Sequence, residues 1–138
     1  FNESNLPDYN FSFSGMKTSF LYALQKEMKA NPSFINDHLN DICASYQAAL
    51  IKVLMKKVKA AQKSTGIKNV AIAGGVSANS GLRAALMQWG EQSDISIYLP
   101  PFQYTTDNAA MIGIAGYYQY LEGVNAPLST SAQAKIKF

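Results

Sequence analysis

The chain has 138 residues, room for one modest domain with a core of its own. Hydrophobic residues make up 48%, which argues against intrinsic disorder. Twelve basic against nine acidic residues give a net charge of +3, mildly basic and by itself no mark of nucleic-acid binding.

The opening, residues 1–10, is polar and irregular. Phe11-Ser12-Phe13-Ser14 then alternates aromatic and hydroxyl side chains with period two, the pattern of a half-buried strand. Gly15 closes it, and the spacing of Phe20, Leu21, Leu24 and Met28 predicts a helix over 16–29. Asn31-Pro32 breaks that helix, and Ser33 offers a cap to a long helical region over 34–64, with a kink expected near Asn40-Asp41. There Ile42, Tyr46, Leu50, Val53, Leu54, Val58 and Ala61 recur at three- and four-residue steps and form a core-facing stripe. Cys43 falls in this apolar pattern and reads as a small core residue. Lysines near the helix end oppose the negative pole of its dipole, and Gly66 is a natural stop.

Val70-Ala71-Ile72-Ala73 is a short continuous apolar run, the mark of a strand covered on both faces. The turn Gly74-Gly75 follows, then a helix over 78–89 carrying Leu82, Leu86 and Trp89. Ile95-Ser96-Ile97-Tyr98 is a second strand, halted by Pro100-Pro101. A last helix over 107–121 carries Met111, Ile112, Ala115, Tyr118 and Leu121, and the tail 123–138 is mostly polar. Strand–helix alternation with buried strands argues an α/β class, with 66–121 as a βαβα unit whose crossover is right-handed. Ligands of such sheets sit at the carboxyl ends of the strands, and both turns, 74–79 and 100–108, fall there.

Adjacent glycines let a ligand approach the backbone more closely than a Cβ would permit, and the following helix aims unpaired N–H groups at the same place. The Gly74-Gly75 corner is thus a seat for a nucleotide or another anion. Asn79 can donate and accept, which suits a ribose hydroxyl or an adenine edge. The bland alternative, that Ser77 and Asn79 only cap the helix, stays open. Thr106 or Asp107 can cap the last helix, and Asp107 can alternatively give one oxygen to a metal. A lone Asp makes no metal site, and the one histidine, His38, reads as a surface residue. Ala109, Gly113 and Gly116 point to close packing of the last helix against a neighbour. Ser14-Gly15-Met16-Lys17 is a corner that could cradle an anion, without further support. The lysine run Lys52, Lys56, Lys57, Lys59, Lys63 reads first as a solvated face and weakly as an RNA contact; Lys135 and Lys137 lie near the end.

No apolar run nears the roughly 20 residues that span a bilayer, so no membrane association is expected. One cysteine excludes an internal disulfide and suits a reducing compartment, so the cytoplasm is expected. The chain begins at Phe1 without an initiator Met, which reads as a processing or expression boundary.

Three blocks point one way: Phe11-Ser-Phe-Ser-Gly-Met-Lys-Thr18, Ala73-Gly-Gly-Val-Ser-Ala-Asn-Ser-Gly-Leu-Arg83 and Thr106-Asp-Asn-Ala-Ala-Met-Ile112. In order and spacing they resemble the C-terminal part of the TsaD family, once labelled O-sialoglycoprotein endopeptidase. The resemblance covers nearly the whole chain. It implies the actin/Hsp70/sugar-kinase (ASKHA) fold, of which residues 1–138 would be the C-terminal lobe, a fragment lacking the N-terminal lobe. It implies transfer of a threonylcarbamoyl group from threonylcarbamoyl-adenylate to N6 of the adenosine beside the anticodon of tRNA. Partner proteins of the same pathway, an adenylate or ATP-type nucleotide, and one divalent metal, iron or zinc, belong to that picture. Gly74 and Gly75 match the glycine turn beside the adenosine, Asn79 the nucleotide-contacting Asn, and Asp107 the metal-binding aspartate. The family's His-x-x-x-His metal motif is absent from this sequence, so the isolated chain is expected to be catalytically silent. Two other readings compete: the older metalloendopeptidase label, disfavoured for want of a His-Glu-x-x-His site, and a non-catalytic lobe that associates, with itself or a partner, through an exposed inter-lobe face.

Overall fold

In the computed structural model residues 9–131 are described. The polar opening up to Asp8 and the end of the tail, with Lys135 and Lys137, lie outside them. The chain divides into two units, one up to Thr105 and one from Thr106, and each stands on its own below.

The first unit begins with helix α1 (Phe13–Ala30) rather than a strand. Ser12 is extended, and its hydroxyl accepts from the Gly15 N–H at 3.0 Å, so the aromatic–hydroxyl alternation ends in a helix cap. Among the described residues no strand lies beside this segment to pair with it, and capping satisfies a donor that a lone strand would leave unpaired. The Phe11 and Phe13 rings meet edge to face at 5.0 Å.

Helix α2 (Phe34–Thr65) spans 32 residues. Its break falls at His38 (φ −125°, ψ 20°), two residues before the expected kink, and His38 is exposed against the Phe34 ring at 5.0 Å. Gly66 takes the left-handed φ of 70° and its N–H returns to the Gln62 carbonyl, ending the helix as anticipated. Helix α1 packs on α2 through the stacked rings of Phe20 and Tyr46, 4.1 Å apart.

Strand β1 (Asn69–Ala71) pairs in parallel with β2 (Ser96–Tyr98), Val70 opposite Ile97, and α3 (Ser80–Ser93) links them. Among the described residues of this unit, the strands are covered on one face. Val70, Ile72 and Ile97 pack on the core, whereas Asn69, Ala71, Ser96 and Tyr98 are exposed. Helices α2 and α3 lie against one face only, and short alanines let β1 read as apolar on both.

The core is Met55, Leu82, Leu86, Trp89 and Ile95, with Ile51, Leu54 and Val58 of α2 packed around it. Two glycines permit this closeness. A Cβ on Gly81 would lie 2.8 Å from Ile51 Cδ1, and one on Gly90 would lie 2.7 Å from Ile97 Cγ1 and 2.8 Å from the Ile95 carbonyl oxygen. Cys43 is exposed, not a core residue.

The second unit is helix α4 (Ala109–Leu121) and the chain after it. Its cap is Asn108, not Thr106 or Asp107: Asn108 Oδ1 accepts from the Met111 N–H at 3.1 Å, and Nδ2 donates to the Thr106 carbonyl at 3.0 Å. An extended Asn at that place reaches the third amide of the helix with little strain. Within this unit, nothing among the described residues lies within 4 Å of a Cβ built on Gly113 or Gly116.

Candidate functional site

Parallel pairing brings the carboxyl ends of β1 and β2 to one edge of the sheet, and the chain turns sharply after each. After β1, Gly74 adopts φ 80° and ψ 172°, a conformation open in practice to glycine alone. A 3-10 turn, Gly75–Ala78, follows. The Gly74 carbonyl accepts twice from Ser77, from its N–H at 2.9 Å and from its hydroxyl at 2.6 Å. Ser77 is 1% exposed, so these bonds hold the turn from within. Among the described residues, nothing stands within 4 Å of a Cβ on either Gly74 or Gly75. The outer side of the corner is open space bounded by backbone.

Asn79 caps α3, its Oδ1 accepting from the Leu82 N–H at 2.9 Å. Its Nδ2 also donates to Gln47 Oε1 of α2 at 3.2 Å. An amide side chain has two donor hydrogens and two acceptor lone pairs, so one of each remains for another group. Capping and ligand contact are therefore compatible at this residue.

Beside the corner lies an apolar hollow of ≈ 650 Å³, walled by Gly75, Val76, Ala78, Asn79 and Leu82 on one side and by Cys43, Tyr46, Gln47, Leu50, Ile51 and Leu54 of α2 on the other. Phe13 closes one end. A second hollow of ≈ 350 Å³ lies on the strand side of the same backbone and includes Ile72, Ala73, Gly74 and Leu86. Asn79 and Gln47 put polar atoms on the wall of the first hollow. Gln47 escaped the sequence reading, although a lone amide on an otherwise apolar helical stripe was a usable signal.

Arg83 was legible only as part of a motif, and its role emerges here. Nη1 donates to the Ser77 carbonyl at 2.9 Å and Nη2 to the Pro100 carbonyl at 2.6 Å. Its guanidinium carbon stands 4.3 Å from the Phe102 ring centroid. One planar fork thus ties the turn after β1 to the turn after β2. Beyond it a second 3-10 turn, Phe102–Tyr104, is closed by buried Thr105, whose hydroxyl donates to the Phe102 carbonyl at 2.8 Å.

Asp107 belongs to the second unit, is exposed, and makes no hydrogen bond or ion pair among the described residues. Both its oxygens are available to a cation. Among the described residues, no group of three or more His, Cys, Asp or Glu side chains could hold a metal ion. The described residues therefore hold no complete metal site. Ser14-Gly15-Met16-Lys17 lies inside the first turn of α1, with the Gly15 N–H already used by Ser12.

A sequence model of the TsaD family, described as tRNA N6-adenosine threonylcarbamoyltransferase, matches residues 1–114. The chain belongs to the TsaD family. The matched TsaD region includes Gly74, Gly75, Asn79, Arg83 and Asp107. A protein of Cytophaga hutchinsonii named tRNA N6-adenosine threonylcarbamoyltransferase is 54% identical over 133 residues, 96% of this chain and 39% of that protein. One of the same name from Christiangramia forsetii is 51% identical over 138 residues, 100% of this chain and 41% of that protein. A more distant one, from Thermosipho africanus, is 41% identical over 129 residues, 94% of this chain and 38% of that protein. This TsaD chain thus spans about 40% of the length of the curated relatives it matches.

Proposed function

We propose that the chain is the C-terminal ASKHA-type lobe, residues 1–138, of a tRNA N6-adenosine threonylcarbamoyltransferase, and that its Gly74-Gly75 corner holds the adenosine of threonylcarbamoyl-adenylate. The observation that carries this reading is the corner itself: two glycines with open space before them, at the carboxyl edge of a parallel pair, beside an apolar hollow rimmed by Asn79. The bare backbone of Gly74 and Gly75 admits the nucleoside, and Asn79 uses its spare donor and acceptor on a hydroxyl or base edge. Asp107 serves as one ligand of a divalent iron or zinc whose other ligands lie in the remainder of the parent protein. That metal would help to hold the adenylate.

The reaction is acyl transfer. The N6 amine of the tRNA adenosine attacks the carbamoyl carbon, a C–N bond forms, the C–O bond to phosphate breaks, AMP leaves, and the amine loses a proton. This chain contributes binding and orientation to that step, and its two turns, latched by Arg83, keep the adenosine end fixed. Partner proteins of the same pathway and a cytoplasmic location complete the proposal. Among the described residues, no helix is long and apolar enough to cross a membrane.

The test is a chimaera. This chain replaces the corresponding part of the Cytophaga hutchinsonii relative, and threonylcarbamoyl transfer to tRNA is measured with the pathway partners present. Transfer by the chimaera, and none by the 138-residue chain alone, is the expected pair of results. A folded chimaera without transfer, or transfer by the chain alone, overturns the reading.

One observation favours a second reading, a lobe that associates without chemistry of its own. Helix α4 leaves Ile112 76% and Tyr120 70% exposed on a mostly apolar surface. Sedimentation at high concentration decides it, since a monomer counts against association.

A further inference from the structure

The lysines of α2 do not scatter over its surface. At about 100° per residue, Lys52, Lys56, Lys59 and Lys63 fall within about 60° of one another, stepping by four, three and four residues. From Lys52 to Lys63 the stripe advances 11 residue steps, about 16 Å at 1.5 Å per residue. All four are exposed. Lys57, between them in sequence, points elsewhere around the helix.

Two features set this stripe apart from an ordinary solvated helix face. Such faces interleave charges of both signs, because like charges at four-residue spacing destabilise a helix by about 0.2–0.5 kcal/mol per pair. Here no acidic residue occurs between Ile42 and Thr65, and no stripe lysine makes an ion pair among the described residues. The helix dipole accounts for Lys63, in the last turn, but its effect fades within that turn and does not reach Lys52 and Lys56. Lys59 is held in place, its ammonium 5.7 Å from the Trp89 ring centroid.

The stripe also lies well apart from the ligand corner. Ile51 and Leu54 of the same helix turn toward the hollow beside Gly75 and Asn79, while the lysines occupy a separate arc facing solvent. A polyanion lying along the stripe would leave the hollow free.

We propose that the Lys52–Lys56–Lys59–Lys63 stripe docks the phosphate backbone of the substrate RNA, an inference that rests on the tRNA-modifying reading for the identity of that polyanion. Lysines act here as point charges that displace counterions, without reading sequence.

The experiment compares two double substitutions in the 138-residue chain, each removing two positive charges. One is Lys52→Gln with Lys56→Gln on the stripe; the other is Lys26→Gln with Lys29→Gln on α1. Binding to unmodified tRNA is followed by fluorescence anisotropy from about 50 to 200 mM salt. Circular dichroism and Trp89 fluorescence monitor folding, and the stripe variant relieves like-charge repulsion, so it should fold at least as well. Expected is a fall of about 2 in the salt slope and an affinity at least about tenfold weaker for the stripe pair, with little change for the α1 pair.

Equal loss from both pairs, no loss from the stripe pair, or no tRNA binding by the parent chain each overturns the proposal. So does anionic phosphatidylserine vesicle binding that depends on the stripe when tRNA binding does not. The transferase reading fails separately. A chimaera that transfers normally while stripe substitution leaves affinity unchanged sinks only the docking surface. Stripe-dependent tRNA binding with a folded but inactive chimaera sinks only the reaction.

Discussion

Replacing Arg83 with Met keeps a long apolar stem and removes the fork that joins the two turns. Two hydrogen bonds from a charged donor are lost, to the carbonyls of Ser77 and Pro100, along with the stacking on Phe102. Hydrogen bonds of this kind contribute about 1.5–3 kcal/mol each, and an exposed cation–ring contact about 0.5–1 kcal/mol. Arg83 is only half-buried, so water can replace part of what is lost. The expected cost is therefore about 2–4 kcal/mol, below the simple sum. Trp89, the one tryptophan and 7% exposed in the core, reports unfolding directly. With a urea slope of about 2 kcal/mol per molar, the midpoint should fall by roughly 1–2 M. Arg83→Lys, which keeps the charge but can reach only one carbonyl at a time, should lie between the two. Chymotrypsin should also cut faster after Phe102 and Tyr104 in the Met variant, because the turn after β2 has lost its tether. A midpoint change worth less than about 0.5 kcal/mol, with unchanged proteolysis, would refute the latch.

Gly74→Ala should destabilise the chain by about 1–3 kcal/mol despite the open space around it, because its φ of 80° disfavours a Cβ; a urea melt measures this. Gly75→Ala should leave that melt nearly unchanged yet weaken adenylate binding by calorimetry in the chimaera, since the new methyl would stand where the nucleoside approaches. Gly90→Ala should cost about 1–3 kcal/mol, because its Cβ would press at 2.8 Å on the Ile95 carbonyl oxygen, a backbone atom that cannot swing away. The Lys68–Asp94 bridge, 2.8 Å long and exposed, should contribute little, and what it contributes is present around neutrality and lost at the extremes of pH. The hydrogen bond and charge of Lys68 hold the Asp94 carboxyl below its ordinary 3.8, so its contribution is present above that value and is lost as pH falls through the lowered one. Lys68 is raised above 10.5 by the same partner, so its share is present below that value and lost as pH rises through the raised one. Asp94→Asn, which tolerates the φ of 53°, should lower stability slightly around neutrality and not at the extremes, and so flatten both limbs of a stability–pH curve.

Local physics was legible without coordinates wherever one element decided the matter by itself. The long stripe of α2 and its Gly66 stop, the two strands around α3, and the Gly74-Gly75 turn all follow from spacing and from the freedom of glycine. The three sequence blocks carried the family in the same way, because motif order survives whatever the chain packs against. Errors arose where neighbours decide. Period-two alternation at Phe11–Ser14 is a strand only if a partner strand accepts its hydrogen bonds; with none beside it among the described residues, Ser12 caps α1 instead. The apolar run of β1 is buried on both faces only if helices cover both, and among the described residues of its unit they cover one. Cys43 kept its place in the helical pattern, on the wall of the hollow with Tyr46 and Leu50, but it is exposed and not in the core. The fork of Arg83 and the tie from Asn79 to Gln47 link residues 17 and 32 positions apart. No local pattern encodes such a pair: sequence by itself determined which residues could donate and accept, and only tertiary packing chose which of them met.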